Sequence, residues 1–151
     1  MSEQSIASSR EYLQQMSTEL NSLAELDVME MYRTLSDLGD AMEPFPSERM
    51  DPDHKVPGCI SNVYIYSELE GGRLHYWGAS ESHVVRGYVA ILVRALTGLQ
   101  PDEAAQDSRE IIEEFARSTN IRASLTPNRA NAFANIYEMM IDQAQRAAPA
   151  A

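Results

Sequence analysis

The chain predicts an α+β fold: a small antiparallel sheet of two or three strands packed against helices. Three observations carry this expectation. The first third shows two helical apolar stripes, the middle shows one β-branched and aromatic run with a glycine turn and a return, and the segment from Val84 to Leu96 is apolar almost all round. Elements in the order helix, helix, strands, helices do not form the alternation that builds a parallel sheet.

Each element has a local cause. Tyr12, Leu13, Met16, Leu20 and Leu23 recur on one helical face. Val28, Met31, Leu35, Leu38 and Met42 form a second stripe. Asp27 followed by Glu30 resembles a capping box, and Pro44 and Pro46 stop the second helix. Residues 43–58 read as a proline-rich, mostly polar loop. The run Ile60 to Tyr66, the turn Glu70-Gly71-Gly72 and the return from Leu74 to Trp77 predict a hairpin. Val63 and Ile65 should face one way, Tyr64 and Tyr66 the other, with a third short strand expected around Lys55 and Val56.

The nearly all-apolar segment from Val84 belongs at the centre of the fold, with Ser82 as N-cap and Gly98 just past its end. A short helix should start at Pro101, and Ile111, Ile112, Phe115 and Ala116 mark another. Thr126-Pro127 opens a long helix with Phe133, Ile136, Tyr137, Met140, Ile141 and Ala144 at helical spacing. The expected organisation is one domain over 1–146, its first 24 residues an additional N-terminal helix, with 147–151 a flexible tail.

Composition bounds the function. The chain has 151 residues, 12 Lys+Arg against 23 Asp+Glu, a formal net charge of −11 and one cysteine. That balance repels phosphate backbones, so no nucleic-acid partner is expected. No apolar run approaches the roughly 18 residues of a membrane span, and the N-terminus lacks the order of a secretory signal. The expectation is a cytoplasmic protein with no membrane partner.

Cys59 is where chemistry would lie. A lone cysteine is commonly a buried small hydrophobe. Here Pro57-Gly58 sets it at the exit of a loop and the start of a strand, a setting that also suits reactive groups. His54 and Lys55 are the nearest cationic candidates upstream, and Gly58 permits close approach. An ordinary thiol of pKa about 8.5 needs about 1.4 kcal/mol per unit of lowering. One nearby cation or helix end supplies about 0.3–2 kcal/mol, so modest activation is within reach.

Three chemistries compete. His54, His75, His83 and Cys59 show none of the usual zinc spacings, and no metal is expected. A Cys-His hydrolase, with His83 the candidate base, needs an orienting third group and an oxyanion hole. Thiol exchange needs only one accessible cysteine. A non-catalytic interaction protein with an inert buried Cys59 remains the alternative.

The residues around Cys59 resemble a known family. Val56-Pro57-Gly58-Cys59-Ile60-Ser61-Asn62-Val63-Tyr64 is similar to the V-x-G-C-x-S-x-V-[WY] segment of the SufE/CsdE sulfur-acceptor proteins. Gly78, Ser80 and Val84-Val85-Arg86-Gly87 resemble its G-x-S…[IV]-V-[KR]-G stretch, and Leu125-Thr126-Pro127-Asn128-Arg129 its L-T-P-x-R motif. Tyr32, Leu35, Leu38 and Gly39 fit the Y-x-x-L-x-x-L-G of its second helix. Two departures stand out: Ala79 replaces an acidic residue, with Glu81 following, and the N-terminal helix is longer than the family core requires.

The resemblance implies a SufE-like α+β fold and a carrier that accepts sulfur from a cysteine desulfurase onto Cys59, stimulates that enzyme, and relays sulfur to an iron–sulfur assembly scaffold. It implies no independent turnover and no directly bound cofactor, the desulfurase carrying the pyridoxal phosphate. Arg129 is a candidate for shaping the surroundings of Cys59, or a structural arginine tying loop carbonyls. A transferable persulfide also calls for shielding, and Ile60, Val63 and Trp77 are candidates for it or for ordinary core.

Overall fold

The computed structural model describes residues 4–58, 62–119 and 127–148, with backbone alone for 127–130. Its helices are α1 (Ile6–Leu26), α2 (Val28–Asp40), α3 (His83–Leu96), α4 (Pro101–Ser118) and α5 (Pro127–Ala147). Strands β1 (Val63–Glu70) and β2 (Arg73–Ser80) form one antiparallel hairpin, in continuous register from Val63 opposite Ser80 to Glu70 opposite Arg73. The result is the expected α+β architecture.

Helix α3 lies at the centre. Val85, Tyr88, Val89, Ile91, Leu92, Ala95 and Leu96 are all buried, and full burial of such aliphatic side chains stabilises by about 1.5–3 kcal/mol each. Around α3 pack α1, α2, α4, α5 and β2. The closest crossing is with α2: a methyl group on Gly87 would stand 2.4 Å from the carbonyl oxygen of Leu35. At the start of α3 the Ser82 hydroxyl accepts from the Val85 amide at 3.3 Å. Gly98 follows the helix with φ +97°.

The inner face of the hairpin, with Val63, Ile65, Leu74 and Tyr76, joins this core. Helix α5 fastens it: the Tyr76 hydroxyl donates to the Met140 carbonyl at 2.6 Å, and the Gln143 amide donates to the Ile65 carbonyl at 3.0 Å. Helix α1 buries Leu13, Met16 and Leu20 in the same core.

Several expectations are corrected. Residues 101–118 form one continuous helix rather than two, because Ala104, Ser108, Ile111, Ile112 and Phe115 follow a single buried stripe with no breaker between them. Asp27 caps α2 through the Met29 amide, but Glu30 pairs with Arg33 instead of closing a capping box. Val28, expected on the α2 stripe, is 43% exposed. The third strand is reduced to one bridge between Lys55 and Tyr64, because the chain turns away at Pro57-Gly58. Both hairpin strands run beyond Tyr66 and Trp77, to Glu70 and Ser80.

A candidate thiol loop at the base of the hairpin

Cys59 and its neighbours Ile60 and Ser61 lie outside the described residues, as does the side chain of Arg129. What surrounds them in the chain is well defined. The Val56 amide donates to the Val63 carbonyl at 2.8 Å, so that bond joins the two ends of the segment that carries Cys59 in the sequence. Val56 and Val63 are both buried, which fixes the closure in the core.

On the way into the loop, Gly58 has φ +77°. This is the left-handed region, which costs a residue with a Cβ roughly 1–2 kcal/mol. A methyl group there would also stand 2.7 Å from the side-chain nitrogen of Asn135 on α5. On the way out, the Asn62 side chain donates to Glu81 at 3.1 Å, and the Glu81 amide donates to the Asn62 carbonyl at 3.4 Å. Residue 81 therefore supplies an acid beside the loop, although residue 79 is alanine.

The 43–58 segment is not merely a polar connection. It lies across the outer face of the hairpin, where Phe45 meets Tyr64 with ring centroids 6.1 Å apart and His54 meets Tyr66 edge-on at 5.1 Å. The Arg49 guanidinium sits 4.9 Å from the centre of the Tyr66 ring, a cation–π contact. Tyr66 stacks in turn on Trp77 at 5.5 Å. Tyr66 is held as a phenol above its ordinary range, first by its hydrogen bond to Glu68 and then by burial.

Asp51 organises the turn before the loop. Its carboxylate accepts from the Asp53 and His54 amides at 3.0 and 3.2 Å and pairs with His54 Nδ1 at 2.8 Å. Desolvation opposes the charged form of Asp51, but the bonds and charge of His54 outweigh it and hold the carboxyl below its ordinary value.

These facts sort the candidate residues. Gly58 and Lys55 are at the loop, Lys55 exposed and joined to β1 through its backbone. His54 is committed to Asp51 and Tyr66, a structural engagement. His83, the candidate hydrolase base, contacts Arg86 at 3.2 Å. Of the candidate shields, Val63 is core, and Trp77 stacks between Tyr66 and His75 on the outer face. Among the described residues no group of three or more acidic, histidine or cysteine side chains could hold a metal ion. Among them, too, no helix is long and apolar enough to cross a membrane.

Asn135 escaped the sequence reading, and Glu81, noted there only as the acid following Ala79, was not connected with Asn62. Asn135 is a polar residue among the apolar positions of α5, and only the three-dimensional packing shows that it meets Gly58.

Fold and sequence together define a helix-wrapped hairpin, with the chain's one cysteine falling in sequence between the held residues Gly58 and Asn62. Residues 14–144 match the SufE family, described as an Fe-S metabolism associated domain. The chain belongs to that family. It is 40% identical over 114 residues to an uncharacterized SufE-like protein of Synechocystis, an alignment covering 76% of this chain and 69% of the relative. It is 31% identical over 112 residues to the sulfur acceptor protein CsdE of Escherichia coli, covering 73% and 74%. A hypothetical protein of Thermus thermophilus, solved in solution, shares the fold with a TM-score of 0.65 at 17% identity, over 87% of this chain and 94% of that one.

The quoted family motifs acquire physical reasons here. Gly39 lies under the Arg86 side chain, Gly78 under Val89, and Gly87 against the Leu35 backbone. Arg86 itself reaches Asp40 at the end of α2. These residues hold α2, α3 and the hairpin at close approach.

Proposed function

We propose that this protein is a sulfur carrier that takes sulfur onto Cys59 from a persulfide on a cysteine desulfurase, stimulates that enzyme, and passes the sulfur to an iron–sulfur assembly scaffold. The observation that carries the reading is the single cysteine of a SufE-family chain standing directly after Gly58, in the loop pinned by Val56 and Val63. The relative named as a sulfur acceptor supports it.

The transfer is an exchange. The Cys59 thiolate attacks the outer sulfur of the partner's persulfide, the partner's sulfur–sulfur bond breaks, and its cysteine leaves as a thiolate. Cys59 then bears the persulfide, with no net oxidation or reduction. The chemistry that extracts sulfur from the amino acid belongs to the partner and its pyridoxal phosphate. This chain contributes position: Gly58 and Asn135 on one side of the loop, Asn62 and Glu81 on the other. A lone cysteine with no disulfide partner suits a reducing compartment, and we assign the exchange to the cytoplasm.

The test is mass spectrometry after incubation with a cysteine desulfurase and L-cysteine. Cys59 should gain one sulfur, about 32 Da, as a persulfide, and Cys59→Ser should show no gain while keeping its thermal midpoint. Absence of the gain in the unaltered protein with an active desulfurase overturns the proposal.

A further inference from the structure

Among the described residues, His75 is the histidine set between carboxylates from two other segments. From β2 its Nε2 lies 3.1 Å from Glu43, the first residue of the 43–58 segment, and its Nδ1 lies 3.3 Å from Glu70 of β1. Nδ1 is buried and has no hydrogen bond among the described residues. The side chain is 14% exposed, and its ring stacks on Trp77 at 3.9 Å.

The ring nitrogens decide which form of histidine suits this setting. A neutral imidazole has one N–H and one lone pair, so either neutral tautomer turns a lone pair toward a carboxylate. The imidazolium turns an N–H toward each. A cation stacked on an indole face is favoured as well. Of the other charged side chains around the ring, Glu68 stands opposite His75 in the register and accepts from Tyr66. Arg73, two residues back on β2, donates to the Gln4 and Gly98 carbonyls. Glu11 of α1 and Arg94 of α3 line the same groove as His75, with Arg94 lying over the Tyr12 ring. Acids outnumber bases around the ring.

We infer that His75 is a proton-operated clasp for the 43–58 segment. Charged, it holds Glu43, and with it the start of the segment, against the hairpin. Neutral, it releases that end. The far end is fastened by the Val56 amide on the Val63 carbonyl, a bond without a titratable group. One proton therefore decides whether the segment leading into Gly58 is held at both ends or at one. Histidine suits this part because its charge ordinarily changes between about pH 5 and 8. Glu43 is itself well exposed, and an ion pair of this kind is worth about a threefold change in an opening equilibrium. The inference does not rest on the proposed sulfur chemistry.

The test is nuclear magnetic resonance on the whole labelled chain, its three histidines told apart by substitution. As pH rises from about 5 to 8, the His75 ring nitrogens should titrate. With the same midpoint, cross-peaks between the Phe45 and Tyr64 rings, 6.1 Å apart and two residues from Glu43, should weaken. Protection of the Met42 amide, bonded to the Gly39 carbonyl at 3.3 Å, should fall about threefold after correction for intrinsic exchange. His75→Gln keeps a donor without the charge and should show the alkaline behaviour at every pH. Should that variant fold poorly, Glu43→Gln removes the other half of the pair and should flatten both signals while His75 still titrates. His54→Gln should leave the dependence in place. Four outcomes overturn the inference: a His75 of unchanging charge across the range, titration of His75 without change at Met42 and Phe45, a dependence that persists in either pair variant, or its loss in His54→Gln.

Discussion

Asn135 on α5 lies so close to Gly58 that a methyl group on the glycine would stand 2.7 Å from its side-chain nitrogen. The last described residue before the cysteine is thus seated against a helix whose other contacts reach the centre of the hairpin. The setting of the loop and the packing of α5 are one structure.

Gly58→Ala tests this seating. The positive φ costs a side chain roughly 1–2 kcal/mol, and Asn135 must move as well. We expect a loss of stability of about that size in urea titration, together with slower sulfur loading of Cys59. Asn135→Ala should relieve part of the effect in the double variant.

Asp51 gives a pH dependence on the acid side. Its carboxyl is held below its unfolded value, so its contribution is complete above the ordinary carboxylate pKa of about 3.9 and disappears as pH falls through the lower folded value. Hydrogen exchange at the Asp53 and His54 amides should stay slow down to that range and then accelerate. Asp51→Ala should make it fast at neutral pH, because the two amides lose the carboxylate that accepts from them.

Tyr76 gives the opposite dependence. Burial pushes its phenol above the unfolded value, so the stability it contributes is present below an unfolded pKa of about 10 and is lost as pH rises toward the folded value. Ultraviolet titration should show this tyrosine ionising only together with unfolding. Tyr76→Phe, which removes the bond to the Met140 carbonyl, should cost about 1 kcal/mol and abolish this alkaline sensitivity.

Gly87→Ala tests the crossing of α2 and α3. Alanine is the better helix former by about 0.8–1 kcal/mol, but here its methyl group meets the Leu35 backbone, which cannot rotate away. Overpacking of about 1–3 kcal/mol should prevail. Calorimetry should show a midpoint lower by several degrees.

Much of this was legible in the chain because its causes are local. The alternation of Val63 and Ile65 against Tyr64 and Tyr66, the Gly71-Gly72 turn, and the capping serine before α3 follow from neighbouring residues. The stripe of α4 was legible too, yet it was divided because its polar middle, Gln106 to Glu110, hid the buried Ser108. Contacts between distant segments left no pattern. Phe45, Arg49 and His54 look like residues of a solvated loop until the fold places them on Tyr64 and Tyr66. The same holds for Asn135 at Gly58 and Glu81 at Asn62, which are met only across the molecule.

The bond from Val56 to Val63 also sets a leash. Three peptide links of about 3.8 Å join Val56 to the cysteine, so the α-carbon of Cys59 never strays beyond about 11 Å from that anchor. A carrier tethered this tightly does not swing cargo between distant stations. On the proposed reading, donor and recipient would each come to the foot of the hairpin, and the short reach would make them take turns at the same doorstep.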